Sequence, residues 1–168
     1  MVKNLGGYFL AAFTKTIPGR VAKAIKRKKV MVRITSHGDQ AFSLGESGLV
    51  QKYFGPGEVL FEGPSTMLAM GTTPYYGYGM KILPYARRYP SMFQVRAFDA
   101  SVAKTLTVLP EVWKGTYHGE CVNDFAVESI KVEFSEPMPY QIAGDAVGMR
   151  KEMILKVAQQ PAHLVRLI

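Results

Sequence analysis

Cysteine is almost missing from this chain: Cys121 is the only one among 168 residues. A single thiol forms no internal disulfide, so the expectation is a reducing, cytoplasmic setting rather than a secreted disulfide scaffold. Long apolar runs are missing as well. The longest early stretch, Tyr8–Phe13, is cut off by Lys15, far short of the roughly 18 or more residues that a membrane-spanning helix requires. The first residues also lack an extended apolar region followed by a small-residue cleavage site, so no secretory signal is expected.

Acidic residues are absent from positions 1–38, which hold nine Lys or Arg, while the remaining residues hold twelve bases against thirteen acids. The net charge of +8 therefore belongs to one segment. Its densest part is Arg20, Lys23, Lys26, Arg27, Lys28 and Lys29. A run of lysines is usually a solvated face, but one without a counter-charge is also a footprint for anionic surfaces. Each Lys or Arg near an anionic leaflet contributes about 1 kcal/mol, a gain that salt removes. Nucleic acid attracts the same patch, yet no helix-turn-helix, zinc-finger or RNP-type pattern accompanies it. A phospholipid surface is the first expectation for a partner, and RNA or DNA the second.

With 48% apolar residues the chain can bury one core, and no repeat, linker or low-complexity tract divides it. A single domain over 1–168 is expected, with 1–29 as a basic helical lead-in. Tyr8, Phe9, Ala12 and Phe13 have helical spacing, broken at Ile17-Pro18-Gly19 and resumed at Val21, Ala24 and Ile25. From Val30 the period becomes two: Val30, Val32 and Ile34 alternate with Met31 and Arg33, and Ser36-His37-Gly38-Asp39 supplies a turn.

Further strands are expected at Val59–Phe61, Thr66–Met70, Met92–Phe98, Phe125–Phe134, Met153–Val157 and Leu164–Ile168. Within 125–134 the apolar parity slips between Val127 and Ile130, which a β-bulge near Glu128 would repair. Val102, Leu106, Leu109 and Trp113 have helical spacing, with Pro110 expected to break or restart that helix. The whole reads as mainly β: an antiparallel β-sandwich with a few short helices.

Four sequence features bear on chemistry. The glycine-rich run from Gly71 to Met80 has the composition of a phosphate loop, but Lys81-Ile82-Leu83-Pro84 does not open a helix and no Walker or GxGxxG spacing is present, so aromatic turns are the stronger reading. His118-Gly119-Glu120-Cys121 has half of a zinc-deaminase signature without the Pro-Cys-x-x-Cys that completes it, and no metal is expected. His37 and His163 have no companions at ligand spacing. Asp145, in a strand-to-turn stretch from Gln141 to Gly148, is either a turn acceptor or a catalytic acid without a nameable partner.

Several of these stretches together resemble the bacterial-type diacylglycerol kinase and sphingosine kinase family. The resemblance is carried by Thr73–Ala86, where a glycine-rich turn leads to an apolar residue, Pro84 and Ala86; by a strand like Met92–Phe98; by Gly115-Thr116-Tyr117-His118; by a strand like Ser129–Phe134; and by 137–148, which is similar to the family's Asp-Gly-Glu neighbourhood. It reaches back to Leu5-Gly6-Gly7-Tyr8-Phe9 and so spans nearly the whole chain.

The resemblance implies the C-terminal β-sandwich of a two-domain lipid kinase, packed against an N-terminal nucleotide-binding domain of the same polypeptide, with catalysis in the cleft between them. That domain's Gly-Gly-Asp-Gly-Thr motif is absent from this sequence. ATP and Mg are thus implied for the full-length protein and no cofactor for this segment, which by itself would be inactive. The implied reaction is phosphorylation of diacylglycerol or a related lipid hydroxyl by a peripheral membrane enzyme.

Asp145 is the one catalytic carboxylate carried over, matching the second acid of the motif. Ala143 stands where the first acid belongs, and Pro90-Ser91 stands where relatives place Asp-Gly. Loss of that first acid leaves a second expectation, a non-catalytic lipid- or membrane-binding regulatory module. A basic nucleic-acid-binding β-barrel is the third.

Overall fold

A computed structural model of the chain describes residues 29–76 and 79–160. The expected lead-in over 1–29, all but Lys29, and the expected strand at 164–168 lie outside the described residues. The described chain is mainly β, with nine strands and one α-helix: β1 Val30–Ser36, β2 Ala41–Leu44, β3 Val50–Phe54, β4 Val59–Ser65, β5 Met67–Gly71, β6 Phe93–Phe98, α1 Val102–Lys114, β7 Val122–Val127, β8 Ser129–Ile142 and β9 Asp145–Lys156.

The strands form two antiparallel sheets, one ordered β4-β1-β8-β9 and the other β3-β2-β7-β6-β5. The sandwich expected from the sequence is therefore present. Its interior combines Val32, Ile34, Leu60, Ile130 and Val132 from the first sheet with Ala41, Phe54, Phe93, Val95, Phe125 and Val127 from the second. Strand β1 obeys its alternation: Val30, Val32, Ile34 and Ser36 are buried while Met31 and Arg33 face solvent.

The chain changes sheets between β1 and β2, β3 and β4, β4 and β5, and β7 and β8, the last two times through a single residue. At Thr66, between β4 and β5, the main-chain N–H and the Oγ1 hydroxyl both donate to the Phe98 carbonyl, at 2.8 and 2.9 Å. At Glu128, between β7 and β8, the N–H donates to the Gln40 carbonyl, the carboxylate accepts from Gln40 N at 3.2 Å, and the carbonyl accepts from Val157 N. The parity slip in 125–134 arises here. Phe125 and Val127 point inward from the second sheet and Ile130 and Val132 from the first. The expected bulge is in fact the corner of the sandwich.

The second sheet is also covered on its outer face. Ile82, Leu83 and Ala86 pack beside Ala69; Met92 packs with Leu44 and Ala126; and Val108, Val112 and Tyr117 pack on Phe98 and Ala100. Strand β6 is consequently buried along its whole length.

Helix α1 starts at Ser101, whose Oγ accepts from Lys104 N at 3.2 Å. It ends at Gly115, in a left-handed conformation with φ 75°, where a Cβ would lie 2.9 Å from that of Lys81. Pro110 neither breaks nor restarts the helix, which runs through it. The buried stripe also differs from expectation. It consists of Val108 and Val112, flanked by half-buried Leu109 and Trp113, while Leu106 is 40% exposed. The helix lies on an already formed sheet, and the side facing Phe98 and Ala100 sets the stripe.

Strands β8 and β9 run on past the sandwich as a two-stranded ribbon. Glu133 pairs with Glu152 and Met138 with Arg150, so residues 134–137 of β8 face only Lys151 on β9. The ribbon leaves the sheet where β1 stops pairing at Phe134. Pro137 and Pro139, which have no N–H, fall on the edge that β1 no longer covers.

Candidate functional site

Two places on the sandwich gather chemistry, the ribbon tip and the covered face of the second sheet. At the tip, Ile142 pairs with Asp145 around a two-residue loop. Ala143 has φ 52° and Gly144 φ 97°. Positive φ at both central residues is the signature of a type I′ turn, for which Asn-Gly and Asp-Gly are the preferred pairs. Asp145 is exposed, and its side chain makes no hydrogen bond or ion pair among the described residues. Its position on the first pair of the hairpin leaves its carboxylate facing open space.

The tip does not stand entirely alone. The Gln141 side-chain amide donates to the Tyr76 hydroxyl, across 65 positions of sequence. This brings the glycine-rich stretch and the 141–148 stretch together. Tyr75, next to Tyr76, lies under the Lys81 ammonium, 5.9 Å from the ring centroid. Where it is described, the glycine-rich run leaves the end of β5 in bends and a turn and leads into the irregular segment 81–92 rather than a helix. It therefore lacks the helix N-terminus that a phosphate loop uses.

Of the basic residues singled out from sequence, Arg20, Lys23, Lys26, Arg27 and Lys28 lie outside the described residues. Lys29 pairs through Nζ with Asp99 Oδ2 at 2.8 Å, which anchors the end of the basic segment on the loop after β6. Ser91, where the resemblance calls for glycine, has φ 61°.

The covered face holds a charge cluster that sequence reasoning did not find. Arg96 on β6 and Asp124 on β7 are register partners and form a two-pronged pair: Nε donates to Oδ1 and Nη2 to Oδ2, both at 2.8 Å. The Arg96 side chain is 1% exposed and that of Asp124 6%. Gln94 adds a third donor, Nε2 to Asp124 Oδ1 at 2.6 Å, and its Oε1 accepts from Tyr85 N at 2.7 Å. The remaining Arg96 nitrogen, Nη1, is buried without a partner.

Tyr85 stacks on His118, and its hydroxyl lies 2.9 Å from the ring Nδ1. Burial pushes the Tyr85 hydroxyl pKa above its ordinary value, and the Asp124 carboxylate adds to that. Beside this cluster opens a cleft of about 400 Å³, lined by residues that include Leu44, Glu46, Gln51, His118, Glu120 and Asp124. With three donors on its carboxylate, Asp124 is a fixed structural anion rather than a free general base. The lining contains acids and no Lys or Arg, which disfavours a phosphate group there.

No local signal could have revealed this cluster. Gln94 and Arg96 alternate with Phe93, Val95 and Ala97, which reads as an ordinary strand with one wet face. Only the covering segment 81–92 and α1 turn that face into an interior. Among the described residues, no helix is long and apolar enough to cross a membrane. Comparison with known proteins gave no match: no protein-family model, curated protein or solved structure aligns with this chain.

Proposed function

We propose that this chain is the lipid-side domain of an ATP-dependent lipid kinase that phosphorylates diacylglycerol or a related lipid hydroxyl. The observation that carries the reading is where the backbone turns left-handed. The family pattern has glycine or Asp-Gly at 91 and at 143–144, and the chain has positive φ at Ser91, Ala143 and Gly144. Two of these residues are not glycine, so the backbone there holds a conformation that its own side chains do not favour and that glycine would suit. The contact between Tyr76 and Gln141 adds support, because it joins two stretches on which the resemblance rests.

On this reading Asp145 orients the acceptor hydroxyl at one wall of the lipid cleft, and the basic segment 20–29 faces an anionic membrane. The acid-lined cleft beside Asp124 does not fit a triphosphate. Nucleotide and Mg belong to the nucleotide-binding domain of the same polypeptide, and the segment alone is inactive. A second reading, a regulatory module that binds lipid without catalysis, is favoured by one observation: Ala143 keeps the turn but offers no proton acceptor.

The test is ATP-dependent phosphate transfer to diacylglycerol in mixed micelles, using the native polypeptide that carries this segment and its Asp145→Asn variant. Turnover that falls sharply in the variant supports the kinase. Absence of turnover on every lipid tried overturns it in favour of the regulatory module.

A further inference from the structure

The β8–β9 ribbon has apolar side chains on both faces and packs them on little of its own domain. By register, Met138, Tyr140 and Ile142 share one face, and Pro139, Ala146 and Met149 share the other. Ile142 is 55% exposed and Met149 56%, with Val147 exposed at the bulge beside them. Tyr75 and Tyr76, both half exposed, extend the surface through the Gln141 contact. Isolated exposed apolar residues are ordinary, but a contiguous set marks a surface meant to be covered.

We propose that the ribbon tip is a docking element that seats at the headgroup level of an anionic phospholipid bilayer. The choice of a lipid surface as occupant rests on the function proposed above; the ribbon as the docking element rests on its own geometry. Three observations select a bilayer. Tyrosines at the base of an apolar tip are suited to the membrane–water boundary, with ring in the acyl region and hydroxyl in the headgroups. The ribbon's own charges balance, Arg150 and Lys151 against Glu136 and Asp145, and the complement to an anionic leaflet is the acid-free basic segment 20–29. The remaining exposed side chains at the tip are small or medium apolar groups, which match a shallow interfacial insertion.

The arrangement deepens the functional reading. A ribbon seated at headgroup depth brings Asp145 to the level where the hydroxyl of a membrane lipid lies, so the lipid need not leave the bilayer to meet it. The basic segment 20–29 then supplies long-range attraction and the ribbon supplies depth.

The experiment uses the whole chain with Val147→Cys in a Cys121→Ser background, labelled with an environment-sensitive fluorophore and titrated with phosphatidylcholine vesicles with or without phosphatidylserine. The expected result is a blue shift and a rise in emission that are larger with phosphatidylserine. The pair Ile142→Gln and Met149→Gln should weaken vesicle affinity by about tenfold or more. Thermal unfolding of that variant should be unchanged, because both side chains are solvent-exposed. Replacing Lys26, Arg27, Lys28 and Lys29 with Gln should lower affinity without changing the emission of the bound state.

A label that stays water-like while the chain sediments with vesicles overturns the proposal and leaves binding to the basic segment. A blue shift that appears without vesicles and grows with protein concentration overturns it in favour of a second copy as the occupant. Vesicle binding needs neither nucleotide nor turnover. A chain that docks this way while its native polypeptide phosphorylates no lipid therefore sinks the kinase and spares the docking.

Discussion

Converting Asp124 to Asn should be among the most damaging single changes in the sandwich. The Arg96 side chain is 1% exposed and one of its nitrogens already lacks a partner, so neutralising Asp124 strands a buried cation. Two unit charges about 4 Å apart at an effective dielectric near 20 attract by about 4 kcal/mol. That agrees with the roughly 3–5 kcal/mol lost when one member of a buried pair is removed. Against a total stability of about 5–15 kcal/mol, this is a large share.

The double replacement Arg96→Met with Asp124→Leu removes both charges and leaves only the Gln94 amide without its acceptor, a cost of roughly 1–3 kcal/mol. Urea unfolding followed by circular dichroism should therefore place the double variant closer to the wild type than Asp124→Asn alone. An Asp124→Asn protein within about 1 kcal/mol of wild type would refute the reasoning, as would a double variant showing the sum of the two single losses.

Three further expectations follow from the geometry. Ala143→Asn and Ser91→Gly should each stabilise the fold by roughly 0.5–1 kcal/mol, read as a shift in urea midpoint at constant slope, because each relieves a left-handed L-residue. Pro110→Ala should stabilise by about 1–2 kcal/mol in the same assay, since it returns an N–H to the interior of α1 against a smaller loss of chain stiffness. Burial raises the Tyr85 and Tyr117 hydroxyls above the ordinary tyrosine value of 10.0, so the fold holds those protons more tightly than the unfolded chain. Their contribution is intact below pH 10.0 and is lost as pH rises above it, and Tyr85→Phe or Tyr117→Phe should flatten the alkaline fall in stability.

What the sequence disclosed and what it hid divide along locality. The alternation of Val30, Val32 and Ile34 belongs to one strand with one wet face, and it was legible. The parity slip before Ile130 was legible too, but its cause was not. A bulge and a sheet corner leave the same local trace, and only the pairing of Glu128 with Gln40 and Val157 distinguishes them. Strands β2 and β3 carry Ser43, Gln51 and Lys52 within four and five residues, too short and polar to show a period. The Arg96–Asp124 pair was invisible because its partners meet only through register. Asp145 was singled out only through the resemblance, and its setting at the end of a ribbon could not have been read from the residues.

The central claim is that the 143–145 turn is where a lipid hydroxyl is activated. It is tested most directly by returning an acid to position 143 in the native polypeptide, with Ala143→Asn as the control for the turn. Both residues suit the left-handed backbone, so both should stabilise the hairpin equally. If the turn faces the acceptor hydroxyl, Ala143→Asp should raise ATP-dependent phosphorylation of diacylglycerol above the Asn control, by a factor on the order of 10² for a positioned general base. Equal turnover in the two variants would contradict the account.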